Sequence, residues 1–310
     1  MKISTNQFFD RAVSQMSDRQ TSLSTIQAQL AEGKKIVKPS DEPDRAGALL
    51  RVKSMVDRQD RHQQALVAAK NRLQSEEAAL KNSSDLLTRI KELALTASND
   101  SYDGANREVI AIEIDGMAEQ LLSIANARDT QENYLFAGSK VRVQPFQKNA
   151  DGRIVYTGDE TRFRIAVGDH RDLNMNRSGT DVFGPLARQT GDAAAPVPDS
   201  VSLFESIQDL AAAIRSGDHG NMNRGIGELD QMMNRITFNI SEVGTDLHVA
   251  DMQTQVVEET QLQLKSVLSN VQDLDYAEAV TRMQKQMMSL EAAQRSFAQI
   301  SQLSLFDYVR

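Results

Sequence analysis

Between Ile226 and Val271 one heptad frame runs without a slip. Ile226, Leu229, Met233, Ile236, Ile240, Val243, Leu247, Ala250, Val257, Leu264, Leu268 and Val271 take its apolar places, and only Thr254 and Gln261 are polar. Steps of three and four residues suit a helix and no strand, because only a helix returns side chains to one face at that interval. A helix of this length reaches about 68 Å. Its stripe cannot bury itself, so a second long helix has to cover it. The chain supplies one upstream. Val52, Gln59, Leu66, Leu73, Leu80, Leu87 and Ala94 recur every seven residues, with Met55, Ala69, Ile90 and Ala97 on companion positions.

The two ends of the chain repeat the pattern. Phe9, Ala12, Met16, Leu23, Ile26 and Leu30 step by three and four, with Arg19 as a polar break. Tyr276, Val280, Met283, Met287, Leu290 and Phe297 do the same, interrupted at Gln294, and Asp275 with Glu278 gives a start signal for that last helix. The two seams are expected to pack on each other or on further copies. Between them, Gly33 stops the first helix, Pro39 keeps the connection extended, and Ser40 or Asp41 caps the second. The acids Asp41, Glu42 and Asp44 fit a capped helix start better than a cation site. A third helix is expected from about Asn106 to about Phe136, carrying Val109, Ile112, Met117, Leu121 and Ile124.

From Gly138 the helical rhythm vanishes. Gln144–Gln147, Arg153–Thr157 and Thr161–Val167 read as short strands, with hairpin turns at Asp151-Gly152 and Gly158-Asp159-Glu160. Gly191 to Asp199 reads as an Ala/Pro-rich linker. Helix resumes at Ser202, where Ser202 and Glu205 make a capping box, and stops near Ser216-Gly217. The expected fold is mainly α: a long antiparallel helical bundle or coiled-coil rod built from both halves of the chain, with a small inserted β domain. Its divisions are 1–44 with 272–310 as a terminal coiled-coil assembly domain, 45–138 with 200–271 as a helical rod domain, and 139–199 as the β insertion.

Composition removes several function classes. A net charge of −8 argues against nucleic acid as a partner, since phosphate binding needs concentrated basic surface. There is no cysteine, hence no disulfide and no thiolate metal site. No apolar run is long enough to span a membrane, and Met1 to Asp10 lacks the pattern of a cleaved signal peptide. His62, His170, His219 and His248 are scattered without ligand spacing, and Gly225-Ile226-Gly227 does not follow a strand. Neither a catalytic constellation, nor a metal site, nor a cofactor site is expected.

Several motifs occur in order at both ends: Met1-Lys2-Ile3-Ser4-Thr5-Asn6, Glu32-Gly33-Lys34-Lys35-Ile36, Lys38-Pro39-Ser40-Asp41-Glu42-Pro43, Asn133-Tyr134-Leu135-Phe136-Ala137-Gly138 and Asp275-Tyr276-Ala277-Glu278. In these the chain resembles the flagellin superfamily, and more closely its hook-associated, junction-forming branch than the filament subunits. The resemblance implies a structural subunit of the bacterial flagellum, exported without a cleaved signal peptide. Its terminal helices would join copies of itself, another hook-associated protein on the hook side and flagellin on the filament side. An export chaperone would cover the C-terminal helix before assembly. Phe9, Met16, Leu23, Ile26 and Leu30 with Tyr276, Val280, Met283, Met287, Leu290 and Phe297 are the expected assembly contacts. A filament flagellin and a coiled-coil signalling rod are the competing readings.

Overall fold

The structure, a computed structural model, describes residues 2–39, 42–99, 102–168, 171–190 and 197–308. Ser40, Asp41, His170 and the 191–196 part of the expected linker lie outside them. In chain order come α1 (Lys2–Glu32), α2 (Pro43–Ala97), α3 (Gly104–Ala125), β1 (Phe146–Lys148), β2 (Ile154–Tyr156), β3 (Arg164–Gly168) and β4 (Arg171–Asn174). Then follow α4 (Gly179–Phe183), β5 (Leu186–Thr190), β6 (Val197–Val201), α5 (Leu203–Ser216), α6 (His219–Gln272) and α7 (Tyr276–Tyr308). Two compact units emerge, one from 1–60 with 259–310 and one from 61–258.

In the larger unit the two heptad frames meet as antiparallel helices. Lys91 pairs with Asp230 at 2.5 Å and Lys70 with Asp251 at 2.6 Å. A step of three heptads up α2 is thus matched by the same step down α6. Leu66, Leu73, Leu80, Leu87 and Ala94 are buried on α2, and Leu229, Ile236, Val243, Ala250 and Val257 on α6. Met55, expected beside this seam, is instead exposed. The α6 helix also begins earlier than its apolar frame, at His219, where Asp218 accepts from the Asn221 amide.

The third helix is shorter than expected. It ends at Ala125, because Asn126 exchanges two hydrogen bonds with the Phe146 backbone (3.0 and 2.9 Å) and so turns the chain into the insertion. Its buried face also differs: Ile110, Ala111 and Ile114 point inward, while Val109 and Ile112 are exposed. The residues expected to continue the helix form a buried turn, Tyr134 to Ala137. Arg72 of α2 holds that turn. Its guanidinium donates to the carbonyls of Met175 and Leu135 (both 3.0 Å) and pairs with Asp129 at 2.8 Å. Gly138 follows at φ +64, where a Cβ would strike the Asp159 carbonyl.

Among the described residues the β part consists of three separate two-stranded antiparallel sheets. Asp151-Gly152 does join β1 to β2, with Gly152 at φ +79. Gly158-Asp159-Glu160 joins no hairpin, since β3 pairs with β4 rather than with β2. Asp159 there accepts from the Ser139 hydroxyl and from the Ser139 and Thr161 amides (2.8 and 2.9 Å for the amides), which holds its carboxyl well below the usual carboxylate range. The expected linker is partly strand: β6 pairs with β5 from Leu186↔Val201 to Thr190↔Val197. Arg188 of β5 pins that hairpin, donating to Glu228 at 2.6 and 2.7 Å and to Asp209 at 2.6 Å. Ser202 caps α5 through the Glu205 amide, and Gly217 closes it in the left-handed conformation.

Candidate assembly interface

The smaller unit is built where the chain's ends come together. Gly33, at φ +67, turns α1 off; its carbonyl accepts from the Leu274 amide at 3.1 Å, and Lys35 donates to the Gln272 carbonyl at 2.7 Å. The Gln29 side chain reaches the Lys35 carbonyl at 2.6 Å. The left-handed φ of Gly33 is one that glycine adopts without strain, and a Cβ there would also lie 2.7 Å from the Tyr276 hydroxyl and push that ring aside. Asp275 then accepts from the Ala277 and Glu278 amides and starts α7. Ile36 and Leu274 bury their side chains at this crossing.

From that corner α1 and α7 run antiparallel. Arg19 donates to Ser289 at 2.5 Å, and further along the Phe9 and Phe297 rings meet edge to face at 5.4 Å between centroids. Ile26 is buried, and Phe9, Met16, Leu23 and Leu30 are half-buried. Across from them Met283, Leu290 and Phe297 are half-buried too. Of the other three expected contacts on α7, Val280 and Met287 point elsewhere (38 % and 44 % exposed), while Tyr276, 55 % exposed, sets its hydroxyl over Gly33 at the end of α1.

The inward rhythm on α7 is Ala279, Met283, Gln286, Leu290, Ala293 and Phe297, also in steps of four and three. Reading for large apolar side chains passed over the two alanines and the glutamine. The apolar arc of α7 is therefore wider than one helix covers. One part meets α1, and the remainder is exposed in this single chain.

Away from this unit Glu76 of α2, only 1 % exposed, is a strongly perturbed carboxyl. Burial pushes its carboxyl up to about 7, against the pull of Arg177, 3.5 Å away, and of Arg72. Arg177, 4 % exposed, also reaches Asp246 at 2.9 Å and Glu242 at 3.4 Å on α6, so one guanidinium serves carboxylates from two long helices. Among the described residues no group of His, Asp and Glu is placed to hold a metal ion. No helix among them is long and apolar enough to cross a membrane.

Both ends of the chain match models of one family: the bacterial flagellin N-terminal helical region over residues 3–141, and the flagellin C-terminal helical region over residues 226–309. Curated relatives include flagellar hook-associated protein 3 of Salmonella typhimurium, 24 % identical with 100 % of both chains covered. The protein of the same name from Escherichia coli is 23 % identical over 99 % of each. Flagellin of Listeria innocua is 21 % identical over 97 % of this chain and 96 % of that one. Among solved structures, a putative flagellar hook-associated protein of Vibrio parahaemolyticus superposes with a TM-score of 0.66 at 18 % identity, covering 75 % of this chain and all of that one. Xanthomonas campestris FlgL superposes at 0.63 with 19 % identity, over 70 % of this chain and 99 % of that chain. With helical regions of that family matched at both ends, the chain belongs to the flagellin family, and over its full length it is similar to flagellar hook-associated proteins 3.

Proposed function

We propose that this chain is a structural subunit of the bacterial flagellum that joins the hook-associated layer to the filament, and that it does so through α1 and α7. The observation that carries the reading is the α7 apolar arc, half of which has no cover within one chain. Its role is mechanical rather than catalytic. The partners are further copies, another hook-associated protein on the hook side and flagellin on the filament side. An export chaperone would shield the α7 arc before assembly, and export proceeds without cleavage of a signal peptide. The joining part comprises 1–44 and 272–310, the helical support 45–138 with 200–271, and the β part 139–199. The contacts are Phe9, Met16, Leu23, Ile26, Leu30, Tyr276, Val280, Met283, Met287, Leu290 and Phe297.

Leu290→Asp tests it. A charge in the α1–α7 seam cannot be desolvated without a partner. Complemented cells should lose their filaments, seen by electron microscopy, while thermal unfolding of the 61–258 unit stays within about 0.5 kcal/mol of the parent. Normal filaments in those cells would refute the reading. A filament flagellin is the runner-up, supported by the Listeria relative. The purified protein would then polymerise by itself into long filaments, which a junction subunit does not do.

A further inference from the structure

The chain contains three Asp-Gly pairs, at 103–104, 115–116 and 151–152. Aspartate before glycine carries a latent reaction. The glycine's main-chain nitrogen attacks the aspartate side-chain carboxyl carbon, closing a five-membered succinimide and expelling the carboxyl hydroxyl with the amide proton as water. Glycine favours the closure because no Cβ shields its nitrogen. Hydrolysis then returns the water. Attack at the side-chain carbonyl restores aspartate, whereas attack at the main-chain carbonyl leaves the backbone running through the side chain, as isoaspartate. The carboxyl and the next nitrogen must turn towards each other for this, so the conformation held by the fold decides which pair reacts.

Two of the pairs are locked. Asp103 is the N-cap of α3, and its carboxyl accepts from the Asn106 amide at 2.8 Å, three residues on. Asp115 lies inside α3, where helical bonding commits the Gly116 nitrogen to the carbonyl four residues back, and Arg215 holds its carboxyl at 2.5 Å. The third pair is the tip of the β1–β2 hairpin. Asp151 and Gly152 are both exposed, and among the described residues no hydrogen bond or ion pair holds the Asp151 carboxyl. Asn149 organises the tip. Its side-chain oxygen accepts from the Asp151 and Arg153 amides (3.1 and 2.8 Å), and its carbonyl from the Gly152 amide at 3.0 Å. That last bond alone ties the reacting nitrogen, and at a solvent-exposed tip it opens at small cost.

We propose that Asp151 is a site of spontaneous isoaspartate formation in the folded protein, and that the product is a substrate for carboxyl methyl transfer from S-adenosylmethionine. The transfer moves the sulfonium methyl group to an oxygen of the isoaspartyl α-carboxylate and leaves S-adenosylhomocysteine. The added main-chain methylene lengthens the turn, so Asn149 no longer spans the Asp151 and Arg153 amides. The other end of the hairpin is anchored in the core. Phe146 sets its ring edge to face on Phe183 at 5.7 Å, and the Tyr156 hydroxyl donates to the Phe136 carbonyl at 3.0 Å. The change therefore stays at the tip, and it is independent of what α1 and α7 join.

The full-length protein is aged in solution at physiological temperature and mildly acidic pH, and its peptides are mapped by electron-transfer fragmentation, which tells isoaspartate from aspartate. A sample aged in urea, with all three pairs released, sets the time by which an unlocked pair converts. At that time the folded protein should carry at least about ten times more isoaspartate at 151 than at 103 or 115, equivalent to an opening cost about 1.4 kcal/mol lower at the tip. A purified isoaspartyl carboxyl methyltransferase with labelled S-adenosylmethionine should then label the peptide containing position 151 in aged protein. It should label nothing at that position in aged Asp151→Glu, because glutamate would have to close a six-membered ring, which forms far more slowly. Hydrogen exchange should show the Arg153 amide losing protection on ageing while the Phe146–Tyr156 end of the hairpin keeps its own. Equal conversion at the three pairs, or none at 151 once the urea sample has converted, would overturn the proposal, as would label that persists in Asp151→Glu.

Discussion

Arg177→Leu should destabilise the 61–258 unit by about 3–5 kcal/mol at pH 8, because removing one partner of a buried ion pair strands the other. The stranded partner is Glu76, and Glu242 and Asp246 on α6 lose their shared cation with it. At pH 5 the loss should be markedly smaller, since Glu76 then carries its proton and needs no counterion. The parent protein should show the same linkage. The folded-state pKa of Glu76 is raised from 4.5 to about 7, so the folded form holds a proton the unfolded form gives up. That contribution is fully present below pH 4.5 and is lost as pH rises through about 7. A shift of this size corresponds to about 3 kcal/mol. Glu76→Gln should keep the side chain neutral and stabilise the unit above pH 7, with little effect at pH 5. Urea unfolding at the two pH values measures both variants, and a parent midpoint independent of pH with no gain from Glu76→Gln would count against the account.

Phe136→Ala should cost about 3–5 kcal/mol as well, for a different reason. Phe136 is fully buried and sets its ring edge to face on Phe183 at 5.3 Å. Its carbonyl accepts from the Gly179 amide at 2.8 Å and from the Tyr156 hydroxyl at 3.0 Å. The ring therefore joins the turn after α3, the β1–β2 hairpin and α4 in one core. Deleting it leaves a cavity among groups fixed by backbone hydrogen bonds, which cannot collapse to fill it. Phe136→Leu, which retains most of the volume, should cost less than half as much. Calorimetry that finds the two variants equally stable would show that volume is not what the site requires.

Much of the helical architecture was legible because period is a local property. The Leu66–Leu73–Leu80–Leu87 ladder and the Ile226–Val271 frame name the buried faces of α2 and α6 by themselves, and Gly33 and Gly217 mark the stops where the structure has left-handed glycines. Tyr134 to Ala137 looked like more helix because leucine, phenylalanine and alanine are at home there. What unwinds it is Arg72, sixty-odd residues upstream, collecting the turn's carbonyls. The β5–β6 hairpin was missed because Ala, Pro and Asp carry weak strand preference, so that pairing depends on cross-strand contacts and on the Arg188 cluster.

The candidate interface divides along the same line. Spacing alone determined that both ends of the chain are amphipathic helices with Phe9, Ile26, Leu290 and Phe297 on their seams, since a 3.6-residue period is written into the order of side chains. The tertiary structure alone decided which part of the α7 arc is spent on α1, turning Ala279 and Ala293 inward and leaving Tyr276, Val280 and Met287 exposed. The physical reason is that helical periodicity defines an apolar arc but not its azimuth. The azimuth is set by the Gly33 corner, the Asp275 cap and the Arg19–Ser289 contact, which bring together residues far apart in the chain.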